Sequence, residues 1–399
     1  MAAGNHTEST GSSSTALFDV AVIGAGLIGL ATALELAGAG LRVVAFDRQQ
    51  AMHEASWAAA GMLAANDPGN PPAILELSRY SLALYPEFLA RIHALTGREI
   101  PLRTRQTLEG MPAGHTLPPG TAARPLTEPE LQQLAPGLVP GGLPFVSLDE
   151  QSLDPCDLTE AVPAAARAAG IDLREHTPVQ RMAREAGHYR IFFASPEGES
   201  SLLARHVLLA TGAWTAPLPD GLAPALPPPV SPRKGQLVAL ELEGPVQSEC
   251  VLRVPGLYIV PRGNGQYVVG ATLEDAGFDQ STSEALLADL ERRAAALWPP
   301  LAHARRAAAW AGLRPQSVDS LPVIGHFEGR FEGHFESPLG AGHDSPEAAH
   351  NLWVAMGHFR NGILQAPGTA RILRDLILGR TPAVSLEPFR SGRFALAAV

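Results

Sequence analysis

Cysteine is nearly absent from this sequence: 399 residues contain two, Cys156 and Cys250. Two thiols so far apart give neither a disulfide framework nor a metal-ligand spacing. Each is expected to be a small buried apolar side chain. No H-E-x-x-H or similar pair occurs among the 13 histidines, so no metal is expected. Positive charge is also short. Thirty Lys and Arg face 40 Asp and Glu, for a net charge of −10. That balance argues against non-specific nucleic-acid binding, which needs clustered positive charge. A run of about 20 apolar residues is missing, so no membrane-spanning helix is expected. The opening MAAGNHTESTGSSSTAL has no basic start and no apolar stretch, so it does not read as a secretion signal. Residues 1–17 are expected to be a flexible tail, and the protein cytoplasmic. Hydrophobic residues, at 46%, are plentiful, and the length suffices for two domains with a large core.

The strongest local signal is FDVAVIGAGLIGLATALELAGAGLRVVAFD, residues 18–47. An apolar run, Val20 to Ile23, leads directly into Gly24, Gly26 and Gly29. A helical pattern then leads to a second apolar run ending at Asp47, 18 residues past the last glycine. Strand, glycine turn, helix and strand in this order form the unit that holds a dinucleotide pyrophosphate. Gly24 permits the tight turn, Gly26 lets backbone approach phosphate, and Gly29 lets the helix lie on the strand. The helix N-terminus presents free N–H groups and a partial positive charge. Asp47 suits two ribose hydroxyls and disfavours a 2′-phosphate, although Arg48 beside it could pair with one. FAD and NAD both remain open on this segment.

Further along, AMHEASWAAAGMLAAND (51–67) is small and glycine-interrupted, suited to passing a flat ring. A helix is expected over 72–95, loops around one short acidic helix over 112–144, and a helix over 157–169. A short strand is expected over 171–179, then a hairpin-like pair near 188–194 and 201–210. HVLLATGAWT (206–215) reads as a buried strand ending in a small-residue turn whose Gly212 and Trp214 are expected to pass a cofactor closely. Residues 216–232, rich in proline, read as a crossing between domains. From 235 to 273 the pattern has period two, with a turn at Arg262-Gly263-Asn264-Gly265. Ser281 and Glu284 read as a capping box for a helix reaching about Leu297. AAAWAGLRPQS (307–317) reads as a strand with Trp310, Gly312 and Arg314 on one face. An arginine there is suited to clamp a carboxylate, because guanidinium is a planar fork. After a glycine- and histidine-rich insertion at 326–350, NLWVAMGHFRNGILQAPGTARILRDLIL (351–378) reads as a strand, a turn with two glycines, and a helix starting near Ile363 or Pro367. That second helix N-terminus would stabilise the negative charge of a reduced flavin. A nicotinamide has no such need, so this segment favours FAD.

These pieces together resemble the FAD-dependent D-amino-acid oxidase family, and within it the branch that oxidises glycine. The resemblance covers nearly all of residues 18–385. It rests on the glycine fingerprint at 24–29, ASWAAAGML at 55–63, ATGAW at 210–214, YIVPR with YVVGAT at 258–272, WAGLRP at 310–315 and GHFRNGIL at 357–364. It implies an α/β fold: a Rossmann-like FAD-binding domain with a parallel sheet (18–75, 145–232 and 318–385). A substrate domain with a mostly antiparallel sheet and flanking helices (76–144 and 233–317) would interrupt it, and 386–399 would be a C-terminal tail. It implies noncovalent FAD, with Leu27 and Ile28 at the pyrophosphate and Asp47 and Arg48 at the adenosine ribose. Ala55, Ser56, Ala60, Gly61 and Met62 would line the flavin, Val179 would meet the adenine, and His358, Phe359, Arg360, Asn361, Gly362, Ile363 and Leu364 would wrap the ring edge. Arg314 and Tyr258 would hold the substrate carboxylate, with Arg360 and Met62 close by. A histidine common in this branch two residues before the tyrosine is here Gly256. The implied reaction deaminates glycine or another small amine to the 2-oxo acid, ammonia and hydrogen peroxide, with oxygen as acceptor, in the service of the thiamin thiazole. No side-chain base is assigned. A homo-oligomer, tetrameric in related proteins, is implied as well. Two alternatives stand beside this reading: a D-amino-acid or sarcosine enzyme passing electrons to a quinone, and a nucleotide-binding protein without turnover.

Overall fold

The computed structural model describes residues 17–185, 187–196, 198–215, 230–244, 248–327 and 351–397. The expected N-terminal tail (except Leu17), most of the proline-rich crossing and nearly all of the insertion lie outside the described residues.

The dinucleotide-type unit forms as the glycine spacing dictates. Strand β1 (Leu17–Ile23) leads through Gly24 and Gly26 into helix α1 (Leu27–Gly38), which returns to β2 (Val43–Phe46). Gly24 adopts φ +105°, and a Cβ there would meet the Ala210 carbonyl oxygen at 2.3 Å. A Cβ on Gly29 would meet the Gly24 carbonyl oxygen at 2.0 Å. Both glycines are therefore required by close approach as well as by the turn. Around β1 and β2 grows an eight-stranded sheet. Strands β9 (Asp172–Arg174), β12 (Gly198–Leu209) and β19 (Leu352–Met356) extend it in parallel. Strands β10 (Val179–Glu185), β11 (His188–Ser195) and β18 (Val323–His326) add antiparallel edges. The central strands are apolar and buried on both faces, as parallel strands covered by helices must be.

A second eight-stranded sheet is almost wholly antiparallel. Its order runs β17 (Arg305–Ser317), β13 (Val230–Glu241), β16 (Gln266–Gly270), β15 (Leu257–Gly263), β14 (Val251–Val254), β5 (Thr107–Gly110), β7 (Phe145–Leu148) and β6 (Ala123–Pro125). One pair, β14 with β5, is parallel. Asn264 and Gly265 both take positive φ, 52° and 76°, the twist-matched hairpin turn that the sequence signals. A small third sheet joins β3 (Met62–Leu63), β8 (Gln151–Leu153) and β4 (Leu102–Thr104). The remaining helices are α2 (Leu75–Thr96), α3 (Glu128–Leu134), α4 (Pro155–Ala168), α5 (Glu284–Leu297) and α6 (Gly362–Ile377).

Four expectations are corrected. Residues 76–96, expected with the second domain, belong to α2, which buries Leu77, Tyr85, Phe88 and Ile92 in the same core as α1 and α6. The reason lies in α6. Pro367 has no N–H to bond the carbonyl of Ile363, and the Tyr85 hydroxyl donates to that oxygen instead, at 2.5 Å. Ser81 completes the junction, donating to the Leu364 carbonyl and accepting from the Gly368 N–H. Next, α5 starts after Ser283 rather than Ser281, and without a side-chain cap, because Ser281 is bound to Asp279. Cys156 is exposed on the first turn of α4; only Cys250 is buried. Finally, residues 386–394 are not a free tail. Phe389 is fully buried, and Arg393 donates to Asp319 at 2.7 Å.

Candidate active site

The N-termini of α1 and α6 converge on one cavity of about 420 Å3 between the two large sheets. Its first wall is the glycine turn. Gly26 caps α1, and the Leu27 N–H donates to the Ser56 hydroxyl at 3.0 Å, tying the 51–62 segment to the helix start. Asp47 accepts from the N–H groups of Ala25 and Gln49, both at 2.9 Å, which braces the turn against the end of β2. Burial pushes its pKa up, and those two backbone bonds pull the other way. The floor is Ala55, Ser56, Ala58, Ala59, Ala60, Gly61 and Met62, small residues that leave a flat surface. Arg262 holds this floor from the second domain. Its guanidinium donates to the carbonyls of Leu153 and Ala60, at 2.6 and 2.7 Å.

Three glycines on adjacent strands shape the opposite wall. A Cβ on Gly235 would stand 2.1 Å from Arg314 Nη1, and one on Gly270 would stand 2.5 Å from the Tyr258 hydroxyl. A Cβ on Gly312 would meet that of Ala58 at 2.5 Å. Arg314 thus lies flat over β13, Tyr258 lies flat over β16, and the floor packs tightly onto β17. Arg314 Nη1 donates to the Thr272 carbonyl at 3.2 Å. It also sits at the Tyr258 hydroxyl, whose pKa burial raises while Arg314 draws it down. Among the described residues no carboxylate pairs with Arg314. A cation in an apolar cavity, bonded only to neutral oxygens, is matched to an anionic ligand.

The third wall comes from the turn between β19 and α6. Gly357, His358, Phe359, Arg360, Asn361, Gly362 and Ile363 line the cavity, with free N–H groups at the helix start. Arg360 donates to the Gly69 carbonyl at 2.9 Å and lies 3.8 Å from Asp67, while Asn361 bonds Asn70. The 67–70 loop is therefore latched to the start of α6. His358 is buried, with Nε2 3.0 Å from the Thr369 hydroxyl oxygen. Burial lowers its pKa to about 3, so the imidazole is neutral. The folded pKa lies below that of the unfolded chain, about 6.5. The stability this group contributes is then present above about pH 6.5 and lost as pH falls toward about 3. A His358→Gln variant is expected to lose less melting temperature than its parent between about pH 7 and about pH 5. A scan of thermal unfolding against pH checks this, and equal losses contradict it.

Of the sequence-derived site residues, Gly26, Leu27, Ile28, Ala55, Ser56, Ala60, Gly61, Met62, Gly212, Tyr258, Arg314, His358, Phe359, Arg360, Asn361, Gly362 and Ile363 line the cavity. Gly24 and Gly29 act beneath it, through packing. Asp47, Arg48, Val179, Trp214 and Leu364 do not line it. Arg48 pairs with Glu54 and lies over Trp214, 3.4 Å from the ring centroid. Val179 packs with Phe46 and Phe193, and Leu364 is in the core. Sequence reasoning missed Gly235 and Gly270, Arg262, and a charged group at the far end: Asp67, Glu109 and Arg253. Period-two patterning around 235–273 held the signal for the first two, since an isolated glycine in a strand marks close approach.

The glycine turn, the small-residue floor and the two helix starts fit FAD, whose pyrophosphate and ring edge such N–H groups serve. A Rossmann-type domain facing an antiparallel sheet across this cavity, with an arginine of that sheet lining it, defines a flavin-dependent oxidoreductase. The chain belongs to the DAO family of FAD dependent oxidoreductases, which matches residues 19–376. It is 33% identical over 387 residues to a glycine oxidase of Pseudomonas aeruginosa, covering 93% of this chain and 97% of that one. It is 32% identical to a bifunctional protein ThiO/ThiG of a Nostoc species, covering 94% of this chain but 55% of that longer protein. The crystal structure of glycine oxidase from Geobacillus kaustophilus superimposes with a TM-score of 0.82 at 29% identity, covering 95% of this chain and 99% of that one. Among the described residues no helix is long and apolar enough to cross a membrane.

Proposed function

We propose that this chain is an oxidase of glycine and other small amines or amino acids, yielding the 2-oxo acid, ammonia and hydrogen peroxide. The observation that carries the reading is Arg314: half-buried, bonded to a carbonyl and Tyr258, and facing the cavity without a carboxylate of its own. Arg314 and Tyr258 clamp the substrate carboxylate, and this fixes Cα against the floor at Gly61 and Met62. Arg360, latched at the cavity edge by the 67–70 loop, adds positive charge near the same anion. Bound FAD, held noncovalently, supplies the acceptor for the hydride leaving Cα. The side chains supply orientation, which converts an encounter into a near-attack geometry. Amino acid, oxygen and water balance against 2-oxo acid, ammonia and peroxide. The ThiO name of a relative supports a place in thiamin biosynthesis.

The purified protein is expected to be yellow and to bleach when glycine is added without oxygen. In air, one peroxide should form per glyoxylate. Bleaching without peroxide on return to air would assign another electron acceptor. A yellow protein that glycine and its N-alkyl derivatives leave unbleached would refute the reading.

A further inference from the structure

Arg314 is held by a carbonyl that a regular sheet would have used for itself. Strands β13 and β16 pair with Leu237 opposite Gly270, and beyond β16 an isolated bridge sets Lys234 opposite Glu274. Residues 271–273 therefore face only 235 and 236, so one extra residue stands in the ladder, as in a β-bulge. At the bridge, Lys234 and Glu274 exchange both backbone bonds, at 3.0 and 2.9 Å. Two residues on, the antiparallel pattern calls for the same exchange between Gln236 and Thr272. One bond is made, from the Thr272 N–H to the Gln236 carbonyl at 3.3 Å. The other is replaced: the Gln236 N–H donates to the Thr272 hydroxyl oxygen at 2.8 Å. The Thr272 carbonyl is left to accept from Arg314 Nη1, at 3.2 Å.

The hydroxyl is itself fixed. Its proton goes to Glu274 Oε1, so it presents lone pairs to Gln236. Gln236 is fully buried. Its Nε2 donates to the two oxygens of Glu274 at 3.0 and 3.2 Å, and its Oε1 accepts the Ser283 N–H at 2.7 Å. A buried N–H must find an acceptor. Without the hydroxyl, the acceptor at hand for the Gln236 N–H is the Thr272 carbonyl, the partner that the ladder ordinarily supplies.

We propose that Thr272 is a positioning residue for the carboxylate clamp: its hydroxyl stands in for its own carbonyl in the sheet and so turns that carbonyl onto Arg314. This role rests on the clamp proposed above. Gly235 gives the guanidinium room to lie flat, and the Thr272 carbonyl, with Tyr258, holds the fork in one orientation. Removing the hydroxyl returns the carbonyl to Gln236 and releases Arg314, while the residues at the flavin stay in place.

The test reads the clamp by binding as well as by reaction, on the holoenzyme. Acetate carries the carboxylate and no amine to oxidise. Its dissociation constant is measured from the change in flavin absorbance, beside anaerobic flavin reduction by glycine. Thr272→Val keeps the shape of the side chain and lacks the hydroxyl. In that variant the affinities for acetate and for glycine are each expected to fall about tenfold, the worth of one hydrogen bond to a charged group. The limiting rate of flavin reduction should change far less. Thr272→Ser restores the hydroxyl and should recover most of the loss. Should the valine variant fail to hold flavin, Thr272→Ala, which also lacks the hydroxyl, is read in the same way. Unchanged affinity for both carboxylates without the hydroxyl overturns the inference, and so does a serine variant as weak as the valine one. Arg314→Ala separates this role from the clamp itself. If it leaves both affinities intact, the clamp fails; if it weakens both while loss of the Thr272 hydroxyl does not, the failure is confined to Thr272.

Discussion

Arg314→Ala is expected to lower kcat/KM for glycine by roughly 10²–10³-fold, the cost of removing one partner from a desolvated charge pair. Three features concentrate the effect. In the proposed clamp the guanidinium is the charge itself, among the described residues it has no competing carboxylate, and Gly235 lets it lie flat against β13. Arg314→Lys keeps the charge but loses the planar fork and the fit over Gly235, so its loss should fall between parent and Ala. Stopped-flow reduction separates binding from hydride transfer, and amines without a carboxylate serve as the control. The clamp predicts a steep loss for glycine and a small one for those amines. Equal losses would show that Arg314 supports the cavity rather than the carboxylate.

The second large effect is expected at Gly24. An alanine there must adopt φ +105° and place its Cβ 2.3 Å from the Ala210 carbonyl oxygen, so β1 and β12 must separate where the cofactor turn begins. Strain of this kind costs about 3 kcal/mol or more, since backbone cannot give way as a side-chain end can. Gly24→Ala is expected to purify colourless, with a lowered melting temperature. Gly40→Ala provides the control. Its φ is +87°, with nothing within 4 Å of the added Cβ, so it carries backbone strain alone. It should cost about 1 kcal/mol and stay yellow. Retention of flavin by Gly24→Ala would remove the close-approach argument; equal loss in both variants would place the effect in backbone strain.

The parts of the site written in one continuous segment were legible. Glycines 24, 26 and 29, the 55–62 floor and the 357–363 turn each announce themselves by spacing within a few residues. Arg314 was legible because a charge on an apolar strand is locally anomalous. The parts that depend on register were not. That Gly235 must yield to Arg314, and Gly270 to Tyr258, follows from which residues stand opposite across β13, β16 and β15. Arg253 and Glu109 come from two separated segments, and neither carries a local signal. The packing partner of α2 was hidden for a related reason. Its amphipathic pattern says that one face is buried, but the partner is fixed by Pro367, nearly three hundred residues away. At the start of α5, two serines compete for one cap, and Asp279 decides between them.

The third wall of the cavity, from Gly357 to Ile363, is synthesised after the other two. Strand β19 docks on β12, and α6 docks on α1 and α2, all made long before. A polypeptide still attached to the ribosome and halted before residue 351 carries the glycine turn and Arg314 without these partners. A site that needs all three walls would therefore close only after β19 and α6 have been made, with the first two walls left open until then.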